Sequence, residues 1–124
     1  MIISKFNQQT GILENEFTED VTLEEIVNYM ISAKENKIYP RLLKIKTNAT
    51  NANFLFSIDD LKTIVIENDK SLENFNLIIS AIIVDNPQTT VISMLYQMLA
   101  EKNDKYIFNV FSTDKGALQW LKNY

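Results

Sequence analysis

Apolar and polar positions along the chain change period several times, and each change marks an element. The short run Ile2 to Phe6, the turn chemistry of Gln8-Gln9-Thr10-Gly11 and the second run Ile12 to Phe17 predict an N-terminal hairpin. Thr22-Leu23-Glu24-Glu25 has the form of a capping box, and Leu23, Ile26, Val27, Met30 and Ile31 follow at helical spacing, so a first helix is expected over Leu23 to Glu35. Pro40 marks a boundary before a strand core at Leu42 to Ile45. The stretch Thr47-Asn48-Ala49-Thr50-Asn51-Ala52-Asn53 is rich in side chains that bond to their own backbone and is expected to form a loop.

Ser57 with Asp60 offers the next helix start, with Ile58, Leu61 and Val65 on one face and fraying expected near Asp69 to Asn74. Leu77 to Val84 is nearly continuous apolar sequence, as a central parallel strand covered on both faces requires. After Asp85-Asn86-Pro87, a helix from Gln88 to Lys102 would turn Val91, Ile92, Leu95, Met98 and Leu99 inward. Tyr106 to Phe111 reads as the last strand, and Ser112 or Thr113 caps a short helix facing inward with Ala117, Leu118, Trp120 and Leu121. The order β-β-α-β-α-β-α-β-α predicts an α/β fold: a five-stranded, mostly parallel sheet with an N-terminal antiparallel hairpin and helices packed on it. Length and the absence of any linker or repeat imply one domain over residues 1–124.

Composition narrows the chemistry. The chain has no Cys and no His, which removes thiol and Ser-His-Asp catalysis, the common zinc sites and the usual neutral-pH proton shuttle. No catalytic, cofactor or metal site is expected. The net charge is −4 and the single Arg is Arg41, which argues against a nucleic-acid binder. Six acids and no base lie between Glu14 and Glu25, before Lys34, Lys37, Arg41, Lys44 and Lys46, which reads as solvated structure. Glu14 and Glu16 share a strand face, whereas a glycosidase pair comes from separate elements. The start lacks signal-peptide features and the longest apolar run is too short for a bilayer, so a cytoplasmic location is expected.

The run Phe108-Asn109-Val110-Phe111-Ser112-Thr113 followed by Ala117-Leu118-Gln119-Trp120-Leu121 resembles the ending of the SpoIIAA-like branch of the STAS/SEC14-like proteins. The element order and the strand running into Val84-Asp85 are similar to that group as well. The resemblance implies a small non-enzymatic module that acts by protein contact. In anti-sigma-factor antagonists of this kind, a Ser at the start of the helix after the third strand is phosphorylated within an Asp-Ser-Ser/Thr-Gly motif. Thr47 to Ser57 holds no such pair, and Ser57 is the candidate by position only. Similarity to SEC14-like lipid binders implies the alternative, a carrier or sensor of a small apolar ligand.

In open parallel sheets, ligands bind beyond the carboxyl ends of the strands. That rule singles out Thr47, Asn48, Ser57, Asp85, Asn86, Ser112 and Thr113 as a polar rim for a ligand or partner, with Phe54 and Phe56 lining an apolar pocket beside it. The third helix also carries Met94 and Tyr96 beyond its core stripe, more apolar surface than one buried face needs. These two are the expected interface with a protein partner or with a second copy in a homodimer.

Overall fold

Asn7 and Gly11 close the first turn. The Asn7 side chain accepts from the Gln9 and Thr10 amides at 3.0 and 3.2 Å, and Gly11 takes the left-handed φ of 72° that a residue with a side chain resists. In the computed structural model, which describes residues 1–124, this turn joins β1 (Ile2–Asn7) to β2 (Ile12–Val21) as an antiparallel hairpin. The remaining elements are α1 (Leu23–Glu35), β3 (Leu42–Phe54), α2 (Leu61–Leu72), β4 (Leu77–Ile83), α3 (Pro87–Ala100), β5 (Tyr106–Phe111) and α4 (Asp114–Lys122). The expected order therefore holds, with β2 to β5 parallel and the strands lying side by side in chain order.

Sequential order determines where the helices go. Each crossover steps to the next strand in the same direction, so crossovers of one hand place α1, α2 and α3 on one face. α4 follows β5 and covers the opposite face. Side-chain alternation along the strands serves both layers. Ile78, Ser80 and Ile82 of β4 face the three-helix layer, whereas Ile79, Ala81 and Ile83 pack with Ala117 and Leu121 of α4. Twenty buried hydrophobic residues form the first core and six the second, so most of the apolar driving force lies under the three helices.

α1 starts as its sequence dictates. Thr22 Oγ1 accepts from the Glu25 amide and the Glu25 carboxylate accepts from the Thr22 amide, both at 3.2 Å. The same carboxyl is held below its usual pKa, chiefly by that Thr22 amide.

Three expectations are corrected. The stretch Thr47 to Asn53 is not a loop, because β3 runs on to Phe54 paired with β2. Register shifts by one residue between the pairs Glu16–Asn48 and Thr18–Asn51, a bulge in which Ala49 and Thr50 together oppose Phe17. Asn48 does bond to its own backbone, accepting from the Thr50 amide at 3.1 Å and its hydroxyl at 2.8 Å, but that bond shapes the bulge. The extra residue also reverses which side chains point inward: Leu43, Ile45, Thr47 and Ala49 are buried before it, Ala52 and Phe54 after it.

Secondly, α2 begins at Leu61, and Ile58, expected on one face of it with Leu61 and Val65, precedes the helix and is 59% exposed. Ser57 and Asp60 close a separate turn before the helix: the Ser57 amide donates to Asp60 Oδ2 at 2.8 Å and Ser57 Oγ accepts from the Asp60 amide at 3.3 Å. The helix ends at Leu72, within the Asp69 to Asn74 stretch where fraying is expected, and Ser71 and Leu72 are buried. The third correction concerns α3. Its buried residues are Thr89, Ile92, Ser93, Tyr96 and Ala100, and Val91 and Met98, expected inside, are exposed.

Two cations of the basic segment make structural contacts. Arg41 donates to the Tyr39, Asn36 and Asn74 carbonyls and lies 4.4 Å from the centre of the Phe75 ring. Lys46 pairs with Asp114 at 2.7 Å and Glu14 at 3.6 Å, tying α4 to the β2–β3 pair.

Candidate functional site

Small side chains meet where the three-helix layer lies over the sheet. Ala33 of α1, Ser71 of α2, Ser93 of α3, Thr47 of β3 and Ser80 of β4 all border one space that their volumes do not fill. A cavity of about 110 Å³ results. Asn68 of α2 adds an amide, the remaining walls are apolar or aromatic, and no charged side chain is among its 23 lining residues.

At one end Tyr96 packs edge-on against Phe108 and Tyr106, with centroids 5.0 and 6.2 Å apart. At the other, Phe54 and Phe56 stack at 5.1 Å, and Gln88 Nε2 holds the Phe54 carbonyl at 3.0 Å. The lining phenols stay neutral at physiological pH. Burial pushes Tyr106 up to about 12 and, with the neighbouring Tyr106, holds Tyr96 well above the usual tyrosine range. Loss of solvation raises Tyr29 too, against the bond it accepts from Asn15.

The cavity's polar groups differ in how they are satisfied. Thr47 Oγ1 accepts from Asn15 Nδ2 at 3.2 Å, and that amide also donates to the Tyr29 hydroxyl at 2.7 Å. Ser71 Oγ lies 3.1 Å from the Glu67 carbonyl one turn back and 3.3 Å from that of Met30. Asn68 Nδ2 and Ser93 Oγ have no partner, although their residues are only 6% and 3% exposed. An unpaired buried polar group costs about 1–3 kcal/mol, so two in one apolar chamber stand out.

The rim residues chosen from sequence do not form one site. Thr47 is buried in mid-strand, and with Phe54 and Phe56 it lines the cavity. Asn48 is engaged in the bulge and Ser57 in its turn with Asp60. Asn86 Oδ1 accepts from the Thr89 amide and Thr113 Oγ1 from the Gly116 amide, both at 3.0 Å, so these residues cap α3 and α4. Asp85 and Ser112 are exposed. Tyr96, expected at an interface, is in the cavity wall, whereas Met94 is 53% exposed. The rim rule does not reach Asn68 and Ser93. Their signal was present: Leu61, Ile64, Asn68 and Ser71 keep helical spacing, as do Thr89, Ser93 and Tyr96, so polar residues occupy inward positions.

No protein-family model matches the chain, and curated proteins contain no match. Solved structures do. An uncharacterised protein of the DUF3478 family from Shewanella loihica PV-4, described as having a SpoIIAA-like fold, superposes with a TM-score of 0.61 at 16% identity, over 98% of this chain and 92% of the other. The chain has the SpoIIAA-like fold. The anti-sigma factor antagonist SpoIIAA itself, in its unphosphorylated form, matches at a TM-score of 0.54 and 10% identity over the full length of both chains. No helix of the chain is long and apolar enough to cross a membrane.

Proposed function

We propose that this chain is a non-enzymatic regulatory module that works by protein contact, with the outward face of α3 as its contact surface. One observation carries the reading. Val91, Met94 and Met98 are 53%, 53% and 64% exposed and lie at i, i+3 and i+7, so one helix presents a second apolar stripe opposite the one it buries. Methionine is enriched at interfaces because its flexible side chain adapts to varied surfaces. The antagonist SpoIIAA, whose fold this chain shares, serves regulation of another protein. A second copy of the chain is one partner this stripe would suit. Ser57 is exposed but lies outside any Asp-Ser or Ser-Gly pair, so the module works without the phosphorylation motif of such antagonists.

Photo-crosslinking tests the reading. A benzophenone side chain at position 94 gives a specific protein adduct or a crosslinked dimer in cells, and the same group at Thr63, exposed on α2, gives none. Equal, diffuse labelling from both positions, or none from 94, contradicts it.

A second reading, a carrier or sensor of a small apolar ligand, is favoured by the uncharged cavity and its two unpartnered polar atoms.

A further inference from the structure

Ser71 and Ser93 are a natural comparison. Both are buried helical serines bordering the same cavity, and a helical serine can satisfy itself on the carbonyl one turn back. Ser71 is within bonding distance of Glu67, as that pattern requires, while Ser93 has no partner at all. On the neighbouring helix, Asn68 leaves its amide nitrogen equally unengaged. An apolar residue at either position would spare the fold that cost.

The ligand-carrier reading, on which this inference rests, leaves the ligand's chemistry open, and the cavity supplies it. We propose that the chamber binds a compact, neutral, mainly apolar molecule carrying one carbonyl or hydroxyl oxygen, with Asn68 Nδ2 and Ser93 Oγ as its polar anchors. Three features define that class. A volume of about 110 Å³ is of the order of the engineered 150 Å³ cavity that accepts benzene, so the ligand has the size of a single ring. No lysine, arginine or carboxylate lines the space, so a carboxylate or phosphate would enter without a counter-charge, and the ligand is therefore neutral. Asn68 Nδ2 only donates and a hydroxyl can donate, so the complementary ligand atom is an acceptor oxygen.

Cyclohexanone and methylcyclohexane, alike in size and differing in the oxygen, serve as probes. Binding is followed by the ¹³C-methyl signal of Met30, which lines the cavity, in the wild type and in Asn68→Leu and Ser93→Ala. Cyclohexanone is expected to shift the Met30 signal saturably and to bind about tenfold more weakly to either variant, the loss expected for one hydrogen bond of about 1.4 kcal/mol. Methylcyclohexane is expected to bind wild type and variants alike. Both variants without probe are expected to melt higher, by about 4 °C, because an unpaired polar group is gone. If the two probes respond identically to the substitutions, the anchors fail while the ligand-carrier reading stands. If neither probe binds the wild type, or the variants without probe melt lower because an ordered water had satisfied these atoms, the cavity is a hydrated packing defect and both fail.

Discussion

Leu121→Ala is expected to lower the unfolding free energy by about 3 kcal/mol, within the 2–5 kcal/mol range for a buried leucine cut back to its β-carbon. Leu121 is fully buried, and with Ala117 it is the principal anchor of α4 against Ile79, Ala81 and Ile83. The second core is small, six buried residues against twenty on the other face, so few neighbours can collapse into the void. For a domain of this length the loss is a large fraction of the total stability. Urea unfolding followed by the fluorescence of Trp120, which packs against Phe111 at 5.4 Å on this face, measures it directly. A loss below about 1 kcal/mol would mean that α4 is not seated as described.

The second large effect is expected at Asn15, a polar residue only 2% exposed on the three-helix face of β2. Its carbonyl oxygen accepts from Ser4 Oγ at 2.7 Å and its amide nitrogen donates to Tyr29 and Thr47. One side chain thus links β1, β2, β3 and α1. Asn15→Ala leaves the buried Thr47 hydroxyl and the Tyr29 phenol without that donor, and a loss of about 3 kcal/mol follows from two unsatisfied groups and the lost packing. Adding Thr47→Val to Asn15→Ala should cost less than Thr47→Val alone, because the bond it removes is already broken. Strictly additive losses in denaturant titrations would show that the network does not act as a unit.

How much of this was legible beforehand depended on whether local chemistry and tertiary context agreed. Thr22 with Glu25 specifies a helix start through bonds within four residues, and α1 begins and ends where the pattern placed it. Leu77 to Ile83 is apolar on both faces, and a strand between two helical layers is the natural outcome. Asn48-Ala49-Thr50 misled because an Asn that bonds two residues ahead is equally at home in a loop and in a bulge; pairing with β2, a long-range fact, chooses the bulge. Spacing groups Ile58 on one helical face with Leu61 and Val65, but the Ser57–Asp60 turn delays the helix and leaves Ile58 in solvent.

The site was less legible still. Apolar periodicity located one face of α3 yet could not say which of its two apolar faces the sheet would take, and the sheet took Ile92 and Tyr96, leaving Met94 and Met98 outside. Of the rim residues, Asn48, Ser57, Asn86 and Thr113 bond their own turns and helix starts, while Thr47, Phe54 and Phe56 do line the cavity. The cavity is a sum of small volumes from five elements far apart in the chain, and no local window contains that sum.

Contact through α3 is the central claim, and oxidative footprinting of methionines tests it most directly. In dilute purified protein, Met94 and Met98 are expected to oxidise rapidly and the part-buried Met30 slowly. In cells, with partner present, Met94 and Met98 are expected to be protected several-fold relative to the dilute protein while Met30 is unchanged. Oxidation of Met94 and Met98 as fast in the cell as in dilute solution would contradict the account.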